Sequence, residues 1–495
     1  MYYIGFDIGS SSIKAALVET ATGKSIGVVQ EPETEMSMIA LKNGWAEQEP
    51  DEWWKHICNA IEKLKQKYKV ETSKIKGIGI SYQMHGLVLI DNQGQLLRNS
   101  IIWCDSRAVA IGHEAFKAIG EDKCTAHLLN SPANFTASKL KWVKENEPDV
   151  YAKIHKFMLP GDYIAYKFSN TINTTISGLS EGIFWDFKND GIAEFLLAYY
   201  GINPSLVPQI VETFGEQSFV DEKGAKESGL ALGIPILYRA GDQPNNALSL
   251  NVFNPGEVAA TGGTSGVVYA ITDSLSGKEG TRVNNFAHVN YTKSEPRIGK
   301  LLNINGAGIQ YRWLLHNLAV ASYEEMNKLA ASIAIGADGV CILPFGNGAE
   351  RMLNNLEIGT RLVNINFNNH HKGHLCRAAL EGIAFSFVYG MEILKFDGIK
   401  VNVIRAGNDN LFRSDIFALT VATLMGYDIE IYNTTGAIGA ARAAGLHKKD
   451  FKAYGKLIME NDYVMTYSPE KDKTPYLNAY EDWKKELDLI LSNES

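Results

Sequence analysis

The sequence predicts an α/β protein of two domains, each a mixed sheet with helices packed on it, with a cleft between them. Three observations carry this. A chain of 495 residues exceeds what one hydrophobic core organises. Residues 2–8, 13–18 and 26–29 are apolar runs separated by Gly9-Ser10-Ser11-Ser12 and Ala21-Thr22-Gly23-Lys24, which reads as a three-stranded meander. The same strand, small-polar turn, strand unit returns in the middle of the chain, where residues 256–260 lead through Thr261-Gly262-Gly263-Thr264-Ser265-Gly266 into the apolar run 267–271. The second half thus reads as a counterpart of the first, with domains over 1–245 and 246–495.

After the meander, Glu49-Pro50-Asp51-Glu52 has the form of a helix start, with Trp53, Ile57, Ile61 and Leu64 on one face. The Trp53-Trp54 pair is read as packing. Residues 75–81 read as a strand running into Gln83-Met84-His85-Gly86, then the apolar run 87–90 and the turn Asp91-Asn92-Gln93-Gly94. Residues 233–242 bring another apolar run up to an aspartate, Asp242. Helical patterns cover 374–394, 415–425 and 437–446, and 482–493 reads as a charged, peripheral helix. The cluster His370-His371-Lys372-Gly373-His374 lacks a matching ligand set and is read as a polar lead-in to a helix.

A net charge of −8 and a pI near 5.8, with no basic block at either end, argue against nucleic-acid or anionic-membrane partners. Cys58, Cys104, Cys124, Cys341 and Cys376 form no C-x-x-C pair and suit a reduced compartment. The expected location is cytoplasmic, because the start has no signal-peptide pattern and no apolar run approaches a membrane span.

Asp7 is a carboxylate in an otherwise apolar strand, and such a group needs a hydrogen-bond partner or a cation. The turn after it, with Gly9 and three hydroxyls, suits an anion. No P-loop and no protein-kinase signature is present. Two matched hydroxyl loops, Ser10, Ser11 and Ser12 in one half and Gly263, Thr264 and Ser265 in the other, are an alternative way to hold a nucleotide's phosphates between closing domains. Phosphoryl transfer to a hydroxyl needs a carboxylate to take the proton and a metal to spread charge. Asp242 is assigned as the base and Asp7 as the magnesium-side carboxylate, and spacing alone leaves the reverse assignment open.

These segments resemble the FGGY carbohydrate kinases, of the sugar kinase, actin and heat-shock ATPase superfamily, and most of all their xylulokinase branch. The resemblance runs from Tyr3 to about Gly445. It is carried, in order, by the segment 5–14, Trp45-Ala46-Glu47-Gln48, Gln83-Met84-His85-Gly86, Trp103-Cys104-Asp105-Ser106-Arg107, the segments 139–143 and 241–242, Gly262-Gly263-Thr264-Ser265-Gly266 and the segment 374–382. It implies two actin/hexokinase-like (ribonuclease H-like) domains and ATP- and Mg2+-dependent phosphorylation of D-xylulose to D-xylulose 5-phosphate. It further implies sugar contacts from Met84, His85, Asp105, Arg107 and Gln243, a nucleotide site near Gly306, Gln310, Gly407 and Asn408, and a homodimer.

Three positions depart from the family pattern. They are Gln243 where Asn is usual, Met352-Leu353 in place of Thr-Pro, and Asn364-Ile365 where a glycine is common. The competing readings are a kinase for ribulose, a deoxyketose, glycerol or another polyol, and a non-catalytic sugar or nucleotide sensor. Lys14 is read as solvated, and Arg405 as either buried or nucleotide-facing.

Overall fold

The computed structural model describes residues 1–448 and 450–494. Two large sheets organise it. The first has six strands in the order β5-β6-β4-β1-β2-β3, namely β1 (Tyr2–Ile8), β2 (Ile13–Glu19), β3 (Ser25–Glu31), β4 (Ile75–Tyr82), β5 (Phe214–Phe219) and β6 (Pro235–Gly241). The second has seven in the order β9-β10-β8-β7-β11-β12-β13. Its members are β7 (Glu257–Gly262), β8 (Gly266–Thr272), β9 (Asn284–Ala287), β10 (Ile298–Ile304), β11 (Val403–Gly407), β12 (Ile429–Tyr432) and β13 (Tyr463–Tyr467).

The two sheets repeat one plan. The hairpins β1-β2-β3 correspond to β7-β8-β10, the parallel pairs β1-β4-β6 to β7-β11-β12, and an antiparallel edge strand closes each sheet on the same side. Only β9 is extra. Each sheet's last parallel strand feeds a short helix, α3 (Asp242–Ser249) after β6 and α7 (Gly436–Ala443) after β12.

Helix α1 (Pro50–Tyr68) covers the first sheet with Trp53, Ile57, Ala60, Ile61 and Leu64 buried. Trp53 Nε1 donates to Gln48 Oε1 at 3.1 Å and Trp54 Nε1 to Glu227 Oε2 at 2.7 Å, so both rings are packing residues. Behind the second sheet runs α5 (Lys372–Phe396), a helix buried along most of its length. Its histidine lead-in is a cap: Gly373 N–H donates to His371 Nδ1 and His371 N–H to His374 Nδ1, both at 3.2 Å. Helix α6 (Asp415–Met425) packs on α5.

Helix α8 (Thr474–Glu494) corrects the expectation of a peripheral helix. Tyr480, Trp483 and Leu487 enter the second domain's core, and Trp483 Nε1 donates to Ile342 O at 3.0 Å. Its charges lie on the other faces, where Lys484 and Lys485 pair with Glu392 and Asp482.

Helix α7 belongs by topology to the second sheet yet lies on the first, against β1, β2 and β4. Glycines make this possible. A Cβ on Gly5 would collide with Ala437 O and Ala441 N, and one on Gly79 with Ala440 O. The cost of overpacking such a seat is roughly 1–3 kcal/mol. Gly79→Ala should therefore lower the unfolding free energy measured in urea by about that much, whereas Gly191→Ala, with no neighbour within 4 Å of its would-be Cβ, should change it by much less.

Candidate active site

Asp7 and Asp242 lie close enough to act on each other electrostatically, both largely buried from solvent. Asp7, near the end of β1, accepts from Ser81 Oγ at 2.8 Å, and its Oδ2 lies 2.5 Å from where a Cβ on Gly436 would stand, at the N-terminus of α7. Asp242 is the first residue of α3, whose N-terminal dipole favours its charge. Burial outweighs this, and with the neighbouring Asp7 carboxylate it raises Asp242 to a pKa of about 7. The backbone and side-chain amides of Gln243 hydrogen bond the Asp242 carboxylate and pull the other way. Gln243 thus orients the aspartate. Burial also raises Asp7, partly countered by Ser81 and Lys14.

Lys14 departs from its expected solvated state. It stands opposite Asp7 in the β1–β2 pairing, is half-buried, and acts electrostatically on both Asp7 and Asp409 of the second half. Arg405 is largely buried and taken up in ion pairs with Glu430 at 2.7 Å and Glu257 at 3.2 Å.

Ser10, Ser11 and Ser12 form the β1–β2 turn, closed by Gly9 N–H to Ser12 O at 3.1 Å. Gln48 Nε2 donates to Ser10 O at 2.7 Å, and Trp103 Nε1 to Ser10 Oγ at 3.3 Å. The matching turn, Gly263, Thr264 and Ser265, joins β7 to β8 and is held by helix α4 (Gly308–Asn317): Gly308 N–H donates to Gly263 O and Ile309 N–H to Thr264 O, both at 3.0 Å. Gly306 precedes α4, and its N–H and that of Asn305 donate to the Glu350 carboxylate at 2.8 and 2.9 Å.

Beside this second turn opens a cavity of about 690 Å³ whose lining includes Gly263, Thr264, Tyr311, Tyr323, Asn327 and Arg413. Tyr311 and Tyr323 stack at 5.8 Å, and Tyr311 Oη donates to Asn327 Oδ1 at 2.8 Å. Of the remaining nucleotide candidates, Gln310 is buried with its Oε1 unpaired, and Gly407 ends β11 with Asn408 following it, just before the lining residue Asn410. Tyr311, Tyr323, Asn327 and Arg413 carried no local motif that would have marked them.

Met84 and His85 form the turn after β4. His85 has φ 61°, a left-handed conformation unusual for a side chain of its size. Three contacts hold it there: Nδ1 to Glu181 O at 2.9 Å, Lys139 Nζ to His85 O at 2.9 Å, and the rings of Phe135 and Phe286 at 4.8 and 5.3 Å. Burial, Lys139 and Arg351 depress its pKa to about 3, so the ring is neutral. A carbonyl oxygen only accepts, so Nδ1 carries the proton and Nε2 is left as an acceptor.

Asp105 does not face the cleft as the sequence led us to expect. It is fully buried, accepting from Ala46 N at 2.6 Å and pairing with Arg107 at 2.7 Å. Arg107 in turn pairs with Glu47 at 2.7 Å and stacks on Trp45 and Trp142 at 3.8 and 4.8 Å. These motif residues hold one another, and Lys139, attracted by Asp105, is fixed by donating to His85 O and Ile102 O, each at 2.9 Å. Lys139 itself is pulled down to about 7 by burial. Glu181, which no sequence pattern flagged, is buried beside Met84 and the residue preceding Asp242.

Residues 2–249 match the N-terminal domain of the FGGY family of carbohydrate kinases. This chain belongs to that family. It is 28% identical to the xylulose kinase of Bacillus subtilis over 457 residues, 90% of this chain and 87% of that one. Against the xylulose kinase of Haemophilus influenzae the identity is 26% over 504 residues, 99% and 100% of the two chains. The crystal structure of a xyloylose kinase from Brucella ovis superposes with a TM-score of 0.87 at 25% identity, covering 99% of this chain and 100% of that one. The FGGY kinase is therefore a phosphotransferase with the ribonuclease H-like, actin-like fold, and enzymes of its family use ATP.

The departures from the family pattern acquire reasons in the structure. Asn364 takes φ 61°, which Asn tolerates better than most non-glycine residues, and Met352 is buried in the second domain's core.

With the only titration of Asp242 falling at about 7 and the protonated acid unable to accept a proton, kcat/KM for the sugar should rise about tenfold per pH unit below 7 and level off above it. A pH–rate profile checks this.

Proposed function

We propose that the enzyme transfers the γ-phosphoryl group of ATP to the terminal hydroxyl of D-xylulose, yielding D-xylulose 5-phosphate and ADP. The observation that carries this reading is the corner where Asp242, a carboxylate poised near neutrality, lies close to the Met84-His85 turn. The His85 Nε2 acceptor suits a sugar hydroxyl and the Met84 thioether an apolar wall. Asp242 takes the hydroxyl proton as the sugar oxygen attacks in line; the oxygen–phosphorus bond forms while the bond from the γ-phosphorus to the bridging oxygen breaks, and ADP leaves.

Ser10, Ser11 and Ser12 would clamp the phosphates from one domain and Gly263, Thr264 and Ser265 from the other, with the division near residue 245. The cavity beside the second turn is the adenosine site; Gly306, Gln310, Gly407 and Asn408 stand outside its lining and flank the lining residues Gly308, Tyr311 and Asn410 in the chain. Asp7 fits a magnesium ion: Ser81 occupies Oδ1 and leaves Oδ2 for the ion or its water, which is how one carboxylate holds Mg2+ together with phosphate oxygens. Bound there, magnesium would spread the charge of the transferring group. The reading places the enzyme in the cytoplasm as a homodimer; among the described residues no helix is long and apolar enough to cross a membrane.

An ADP-release assay over D-xylulose, L-xylulose, D-ribulose, glycerol and xylitol tests the acceptor. The highest kcat/KM is expected for D-xylulose, and a clear preference for another member would overturn the acceptor assignment. Asp242→Asn should lower kcat by about a hundredfold or more with the fold intact by circular dichroism. His85→Leu should raise KM for the sugar about tenfold or more while leaving KM for ATP within twofold, consistent with the loss of one hydrogen bond.

A further inference from the structure

We infer that Glu181 is a further sugar-binding residue, whose carboxyl O–H donates to an oxygen of the acceptor, the keto oxygen in the ketose reading. The inference deepens the proposed function and rests on it.

Glu181 is the last residue of helix α2 (Ile176–Glu181) and is 1% exposed. Neither carboxyl oxygen has a hydrogen-bond partner of good geometry. A buried carboxyl left this way is costly, and the His85 backbone N–H and the Tyr82 hydroxyl nearby offset that cost only in part. Its position is the telling feature. A Cβ on Gly241, the residue before Asp242, would collide with Glu181 Oε2 and stand 2.6 Å from Met84 Cγ. The same residue's carbonyl receives His85 Nδ1–H. One glutamate therefore holds the histidine through its backbone and places its side chain between the thioether and the base.

The charge state follows from the surroundings. Burial, then the Asp242 carboxylate, then Asp162 drive Glu181 well above the ordinary carboxylate range, with the His85 backbone N–H and Tyr82 pulling back. Asp162 is itself paired with Arg239 at 2.9 Å. Asp242, at about 7, ionises while Glu181 stays neutral. Two nearby carboxyl groups split in this way serve as one acid and one base.

The chemistry of the corner calls for such a donor. Asp242, His85 Nε2 and the Met84 sulfur can only accept, which suits sugar hydroxyls. A keto oxygen carries no hydrogen and needs a donor, and one of the two Gln243 side-chain N–H groups is already given to Asp242. Glu181, between the Met84 thioether and the base, supplies an O–H there.

Glu181→Gln keeps a donor at nearly the same shape, and Glu181→Met removes it while filling the space. Three readouts separate binding from structure: the melting temperature without ligands, calorimetric Kd for D-xylulose without nucleotide, and KM for ATP. Glu181→Met is expected to raise the melting temperature, because an unpaired polar group is replaced by an apolar one. It should weaken sugar binding tenfold or more and leave KM for ATP unchanged, with Glu181→Gln staying within about threefold of the parent in Kd. Unchanged sugar affinity in Glu181→Met would overturn the inference, as would a melting temperature and affinity that fall together, the mark of a merely structural residue. If the parent neither binds nor phosphorylates D-xylulose, the acceptor assignment fails instead. The same three measurements with the acceptor preferred in the ADP-release assay then decide Glu181 by the same criteria.

Discussion

The seat of α7 on the first sheet is the contact on which the rest of the molecule depends. A helix delivered by the second domain's last parallel strand lies directly on bare backbone of β1 and β4, because Gly5 and Gly79 present no side chain there. It also packs along α3, where Asn245 Nδ2 donates to Gly436 O at 2.9 Å. The N-terminus of each helix is thereby brought next to the carboxylate it influences: α7 beside Asp7 and α3 at Asp242. A duplicated fold becomes one site through this crossing, since neither domain holds both hydroxyl turns.

Low dielectric around those carboxylates does the chemical preparation. Two carboxylates close together away from water cannot both ionise easily, and Asp242 carries the consequence as a pKa near neutrality. Lys14 limits the effect by facing Asp7 and Asp409 from β2. Around His85 the same physics runs in the other direction. Burial and two cations keep the imidazole neutral, and a single carbonyl decides which nitrogen bears the proton.

Much of this was legible in the chain. The β1–β2–β3 meander, the two hydroxyl turns and α6 at 415–425 were read from local periodicity and turn chemistry, which act over a few residues. The histidine cluster before α5 was read as a lead-in for the same reason. Other residues were misread where a distant partner decides the outcome. Asp105 looked like a sugar contact because it stands in a family motif, yet it is buried against Ala46 N–H and Arg107, and Arg107 is held in turn by Glu47 and two tryptophans. Helix α8 looked peripheral because its charges dominate the sequence, although a Tyr480, Trp483, Leu487 stripe anchors it.

The sequence by itself determined the two-sheet plan and the hydroxyl turns and singled out Asp7, Asp242, Met84 and His85 as candidates, because hydrophobic period, glycine placement and motif order are properties of contiguous residues. Only the tertiary structure decided protonation and access. That Asp242 titrates near 7, that His85 offers Nε2, that Lys14 sits among carboxylates and that the Glu181 carboxyl is buried close to Asp242 all depend on burial and charge at close range. Those neighbours come from segments up to hundreds of residues apart, and no local pattern records them.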